Sequence, residues 1–199
     1  MSGTTHILIG TASAICVAKP STRQELITVT ILGALGGMIA DIDTDNSKIS
    51  HYFRTGLVLI LILGILEMKY NFIDYCYIDS IFKFISGHEK TLIGLLLFLI
   101  LLFAGTFTKH RRITHSIEYT LLLCLCMFFI HPSFVFPFSI GLISHILLDL
   151  LNYKKVRVSI LFNINFALKL CNSNGVINVL LTTVGLIAMY LLTALRYIK

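Results

Sequence analysis

Residues 91–107 run without one charged side chain, and residues 176–195 do so again. About 20 apolar residues in an α-helix span the hydrocarbon of a bilayer. Lipid offers no hydrogen bonds to the backbone, so a segment crossing it must satisfy its own N–H and C=O groups, as a helix does. Five further apolar stretches cover residues 4–18, 25–40, 55–69, 115–130 and 134–151. The pattern predicts an all-α fold, a polytopic helical membrane bundle of six or seven short apolar helices. It forms a single integral membrane domain over residues 1–199. The first two stretches are short enough to be tilted, interfacial or packed inside the bundle.

Composition excludes the soluble alternatives. The chain is 56% hydrophobic and 13% charged, whereas soluble domains carry about 25% charged residues. The net charge of +6 fits loops facing anionic headgroups. No basic stripe with interleaved aromatics occurs, so no nucleic-acid partner is expected. The five cysteines (Cys16, Cys76, Cys124, Cys126 and Cys171) form no CxxC pair and read as small buried hydrophobes. Residues 7–18 resemble a signal-peptide core, but no Lys or Arg precedes them, and the segment is read as retained. Pro20, Pro132 and Pro137 fall at or near segment ends, and 131–133 reads as a tight turn.

Letting the chain change sides at each apolar segment gathers the unusual polar residues. His6, Asp41, Asp43, Asp45, His51, His110, Arg111, Arg112, His115, His145 and Asp149 fall near one face, and His88 and His131 near the other. Ionisable groups in membrane helices are expensive and mark function. His145 and Asp149, four residues apart, share one helix face. His110 and His115 can converge where a loop enters a helix, and imidazole is the commonest metal ligand. Arg111 and Arg112 offer planar forks for phosphate oxygens. Thr114 or Ser116 reads as a helix N-cap, and Glu118 as a supporting partner or a solvated first-turn acid. Asp41, Asp43 and Asp45 alternate where a helix ends. They do not form an EF-hand loop, because Asn46 and Tyr52 stand where glycine and glutamate are required. HExxH and GxSxG motifs are also missing.

Thr5-His6 with Gly10, the 36–47 stretch, His110-Arg111-Arg112-Ile113-Thr114-His115-Ser116, and Gly141 through Ser144-His145 to Asp149 occur in that order. Together they resemble the YdjM-like family of membrane-bound metal-dependent hydrolases. That family is held to be distantly similar to zinc-dependent phospholipase C and S1/P1-type nucleases. The resemblance runs from His6 to about Asn178. It departs at Ala40, where the family often has proline, and at Asn172 to Asn178, where it often has an acidic residue. It implies a helical membrane domain with a metal site near one membrane face.

The metal ligands expected are His6, Asp41, Asp43, His110, His115, His145 and Asp149. These exceed the three or four groups one zinc usually takes, which leaves room for two or more divalent ions, zinc first. The expected reaction is hydrolysis of a phosphoester in a lipid or lipid-linked, amphiphilic substrate. Asp41 or Asp43 would be ligand or general base, and Arg111 and Arg112 would neutralise phosphate. The partner is membrane lipid, and the location a bacterial cell membrane crossed several times. The rival expectation is a non-enzymatic membrane protein that binds or transports a metal ion with the same cluster. The basic residues divide almost evenly between the two faces, so the positive-inside rule gives only a slight cytoplasmic preference for the site.

Overall fold

The computed structural model describes residues 1–44, 51–53, 55–56, 59, 62, 87–172 and 175–197. Most of the 55–69 segment, the 70–86 loop, Asp45 and Cys76 lie outside the described residues. Among the described residues six α-helices carry the fold: α1 (Gly3–Ala18), α2 (Arg23–Ile39), α3 (Glu89–Thr106), α4 (Ile117–Ile130), α5 (Pro132–Leu150) and α6 (Val176–Tyr197). The helical membrane bundle expected from the apolar runs is therefore the fold. Spans 23–43, 89–106, 132–150 and 176–195 are long and apolar enough to cross a membrane, while α1 and α4 are apolar but shorter.

Local chemistry sets the helix ends. Ser2 accepts from the Thr5 N–H at the start of α1, an ordinary N-cap. Lys19, at φ 47°, closes that helix in the left-handed region, and Pro20 follows, unable to continue it. Thr22 caps α2, and Ser116 caps α4 by accepting from the Tyr119 N–H. His131 is at once the last cap of α4 and the first of α5, so the expected turn shrinks to one residue. Pro132 opens α5, where its missing N–H costs least. Pro137, expected near a segment end, lies inside α5.

Helix α1 packs against α2, α5 and α6; α2 packs on α5, and α4 joins α3 to α5. Their shared core includes Leu32, Ile42, Phe98, Leu123, Phe138 and Leu142. Glycine permits the tightest crossings. A Cβ on Gly37 would run into the His6 carbonyl oxygen, and one on Gly141 into the Gly33 carbonyl oxygen. Gly33 and Gly37 form the small-xxx-small spacing that lets membrane helices approach closely. This approach is what brings His6 and His145 to the same depth. Only 6% of the apolar window of α6 is buried against the chain, compared with 50% for 23–43. Helix α6 is thus peripheral, and lipid must cover it.

The polar connection 152–175 holds a two-stranded antiparallel hairpin. Strand β1 (Val156–Ser159) pairs with β2 (Ile164–Phe166), with an irregularity in register between Arg157 and Ser159. Glu118 anchors its turn. The carboxylate accepts from Ser159 Oγ at 2.6 Å, from the Ile160 N–H at 3.0 Å and from the Leu161 N–H at 3.2 Å.

Candidate metal centre

Four element ends meet at one end of the bundle: the start of α1, the end of α2, the loop leading into α4 and the end of α5. After Ile39 the α2 backbone tightens into a 3-10 turn, Ala40–Asp43. With roughly three residues per turn, side chains two apart point in different directions. Asp41 therefore turns to the histidines of α4 and α5, and Asp43 to the loop preceding α4.

Hydrogen bonding defines the state of the two central histidines. His145 Nδ1 lies 2.7 Å from the Gly37 carbonyl oxygen, which only accepts, so Nδ1 carries a proton. Thr114 donates its hydroxyl proton to Asp43 Oδ2 at 2.6 Å. Its oxygen must then accept from His115 Nδ1, 2.9 Å away. In each neutral ring Nε2 is left as a lone pair, and the two Nε2 atoms face each other across 3.2 Å. Two lone pairs at that distance require a cation between them, a proton or a metal ion.

Carboxylates surround the same point. Asp41 Oδ1 lies 3.5 Å from His145 Nε2 and 3.8 Å from His115 Nε2, and Asp149 Oδ2 lies 3.4 Å from His115 Nε2. One ligand atom from each of Asp41, His115, His145 and Asp149 falls within 4.8 Å of all the others. A regular tetrahedral zinc site with bonds of about 2.0 Å has ligand edges of about 3.3 Å. The four separations just given, 3.2–3.8 Å, lie near that size. The centre can hold a metal ion. His115, His145 and Asp149 are buried, and Asp41, with its side chain 17% exposed, is the member open to the outside.

His6 lies beside this group. Its ring stacks on His145 with centroids 3.8 Å apart, and its Nε2 is 3.3 Å from Asp149 Oδ1. Neither ring nitrogen has a hydrogen-bond partner although both are buried. Leaving a buried polar atom unpaired costs about 1–3 kcal/mol, and a cation shared with Asp149 would remove that penalty at Nε2.

A second group joins Asp41 and Asp43 to His110. Asp43 Oδ1 is 2.9 Å from His110 Nδ1, and Oδ2 accepts from the Arg111 N–H at 3.0 Å as well as from Thr114. Asp43 thereby holds the loop in shape and, through Thr114, fixes the tautomer of His115. Such outer partners orient metal-binding imidazoles.

The two arginines separate. Arg111 adopts φ 64° and its guanidinium turns inward. Its Nη2 donates to Asp149 Oδ1 at 3.2 Å, and Nε forms a 3.0 Å ion pair with Oδ2 without hydrogen-bond alignment. Arg112 is exposed and its side chain joins no ion pair among the described residues. His51 is also exposed, and His131 sits at the far end of α4 and α5. Asn178, near where the family often places an acid, accepts instead from the Ser2 N–H and Thr5 Oγ1, tying α6 to α1. Sequence reading missed the Gly37 carbonyl and the role of Thr114. The Thr-His pair was a signal, but its meaning depends on Asp43 arriving from another helix.

Fold and site together define a helical membrane protein with an interior histidine–aspartate centre of metal-binding geometry. The model of the family described as YdjM inner membrane protein matches residues 1–198, and the chain belongs to that family. No curated protein and no solved structure matches it.

Proposed function

We propose that this chain is a metal-dependent hydrolase, crossing a bacterial cell membrane several times, that cleaves a phosphoester in a lipid or lipid-linked substrate. The observation that carries this reading is the pair of opposed Nε2 lone pairs of His115 and His145, flanked by Asp41 and Asp149. Zinc suits such nitrogen and carboxylate ligands best. When bound, a divalent ion supplies Lewis acidity toward phosphoryl oxygen and activates water near neutral pH. Asp41, the partly exposed member, would serve as a ligand or as the general base. Arg111 holds Asp149 in position, and the exposed Arg112 at the rim meets the phosphate. The wider likeness to zinc-dependent phospholipase C and S1/P1-type nucleases belongs to the same proposal.

The competing reading is a metal-binding or ion-transporting protein without turnover. It is favoured by the burial of His6, His115, His145 and Asp149, which leaves a substrate only the Asp41 side. Phospholipids and lipid-linked phosphates screened against the protein in vesicles separate the two. The hydrolase reading expects product release that stops with a chelator and returns with added divalent metal. Metal-loaded protein that releases no product yet passes the ion across the vesicle wall would replace it with the transport reading.

A further inference from the structure

The hairpin between α5 and α6 has no part in the metal centre, yet it carries an unusual surface. Leu161 and Phe162 at its turn are 79% and 78% exposed, and Ile164 and Phe166 are about half exposed. Ile164 and Phe166 are two residues apart in a strand and so share a face. Exposed lysines stand at the base of the hairpin, Lys154 and Lys155 before β1 and Lys169 after β2. Unlike the apolar faces of the helices, this surface is built on a two-stranded ribbon with an open β2 edge among the described residues. Such an edge cannot enter the hydrocarbon core unsatisfied.

The hairpin is also fixed at the end of the bundle where the metal centre lies. The Arg157 N–H donates to the Arg111 carbonyl oxygen at 3.0 Å, and Glu118 holds three groups of the turn. We propose that the β1–β2 hairpin is a membrane-interface element that docks on anionic lipid. Its apolar turn inserts among the upper acyl segments while Lys154, Lys155 and Lys169 lie against phosphate headgroups. Apolar side chains flanked by cations are what an anionic interface selects. Docked in this way, the hairpin sets the headgroup plane level with Arg111 and the mouth of the centre. The inference does not depend on hydrolysis or on a bound metal.

The chain contains no tryptophan, so Phe162→Trp introduces a single, selectively excitable tryptophan at the turn, and Leu161→Trp gives an independent second probe. Full-length variants that elute like the wild type are placed in vesicles containing lipids brominated near the top of the acyl chain. The expected result is loss of most of the emission to brominated lipid, with little loss to aqueous iodide. Quenching should be stronger in anionic than in zwitterionic vesicles. Replacing the three lysines with glutamine should weaken that preference, by up to about fivefold per lysine. Emission quenched by iodide and untouched by brominated lipid would overturn the proposal. So would protection from iodide that develops only at high protein density without lipid quenching, since that outcome assigns the surface to a second copy.

Discussion

His145→Ala should yield a folded protein that has lost both its divalent metal and any hydrolytic activity that depends on it. The substitution removes one of the two opposed Nε2 atoms and also the Nδ1–H that pairs with the Gly37 carbonyl oxygen. Losing an outer partner of a metal ligand costs about 10–100-fold in affinity, and losing a ligand itself should cost more. The orphaned Gly37 carbonyl adds about 1–3 kcal/mol of destabilisation. His131→Ala, at the opposite end of α4 and α5, is the control and should retain its metal. Elemental analysis of the two variants beside wild type, with turnover measured on the same preparations, checks this. Full metal content in His145→Ala would remove His145 from the ligand set.

The second large effect concerns Asp149→Asn. Arg111 is 8% exposed and Asp149 1% exposed, and the guanidinium approaches both carboxylate oxygens. Removing one partner of a buried ion pair strands the other charge and costs about 3–5 kcal/mol. His6 loses its nearest carboxylate in the same step. Replacing both partners, as in Arg111→Met with Asp149→Leu, should restore the share of stability lost by stranding the guanidinium but not metal binding; the buried Met1 ammonium, 3.1 Å from Asp149 Oδ1, still loses its carboxylate. Denaturant unfolding in detergent measures the single and double variants. A cost within experimental scatter for Asp149→Asn would mean that the pair contributes nothing to holding the α4-entry loop against α5.

The helices were legible because lipid imposes one rule on them. Apolar runs must be helical, and Ser116 and Pro132 mark where two of them begin. The company of His6, Asp41, His115, His145 and Asp149 was legible too, since alternating segments return the same ends to one side. Individual roles were not. Arg111 and Arg112 are neighbours in sequence, and only the left-handed backbone at Arg111 turns one inward and leaves the other outside. The Gly37 carbonyl became the partner of His145 through a crossing of α2 and α5 that the glycine spacing permits without specifying which carbonyl meets which side chain. Of the two cap candidates, Ser116 does the capping, while the Thr114 hydroxyl relays Asp43 to His115. The hairpin had a signal in the period-two alternation of Val156-Arg157-Val158-Ser159, which the surrounding polar residues obscure.

The central claim is that imidazoles from α5 and the α4-entry loop meet carboxylates from the end of α2 and from α5 around one ion. X-ray absorption at the edge of the metal bound to purified wild-type protein tests it most directly. The account predicts a nitrogen and oxygen shell, at about 2.0–2.1 Å if the ion is zinc, with outer scattering from histidine rings. Sulfur in the shell at about 2.3 Å, or a bound metal with no imidazole scattering, would contradict it.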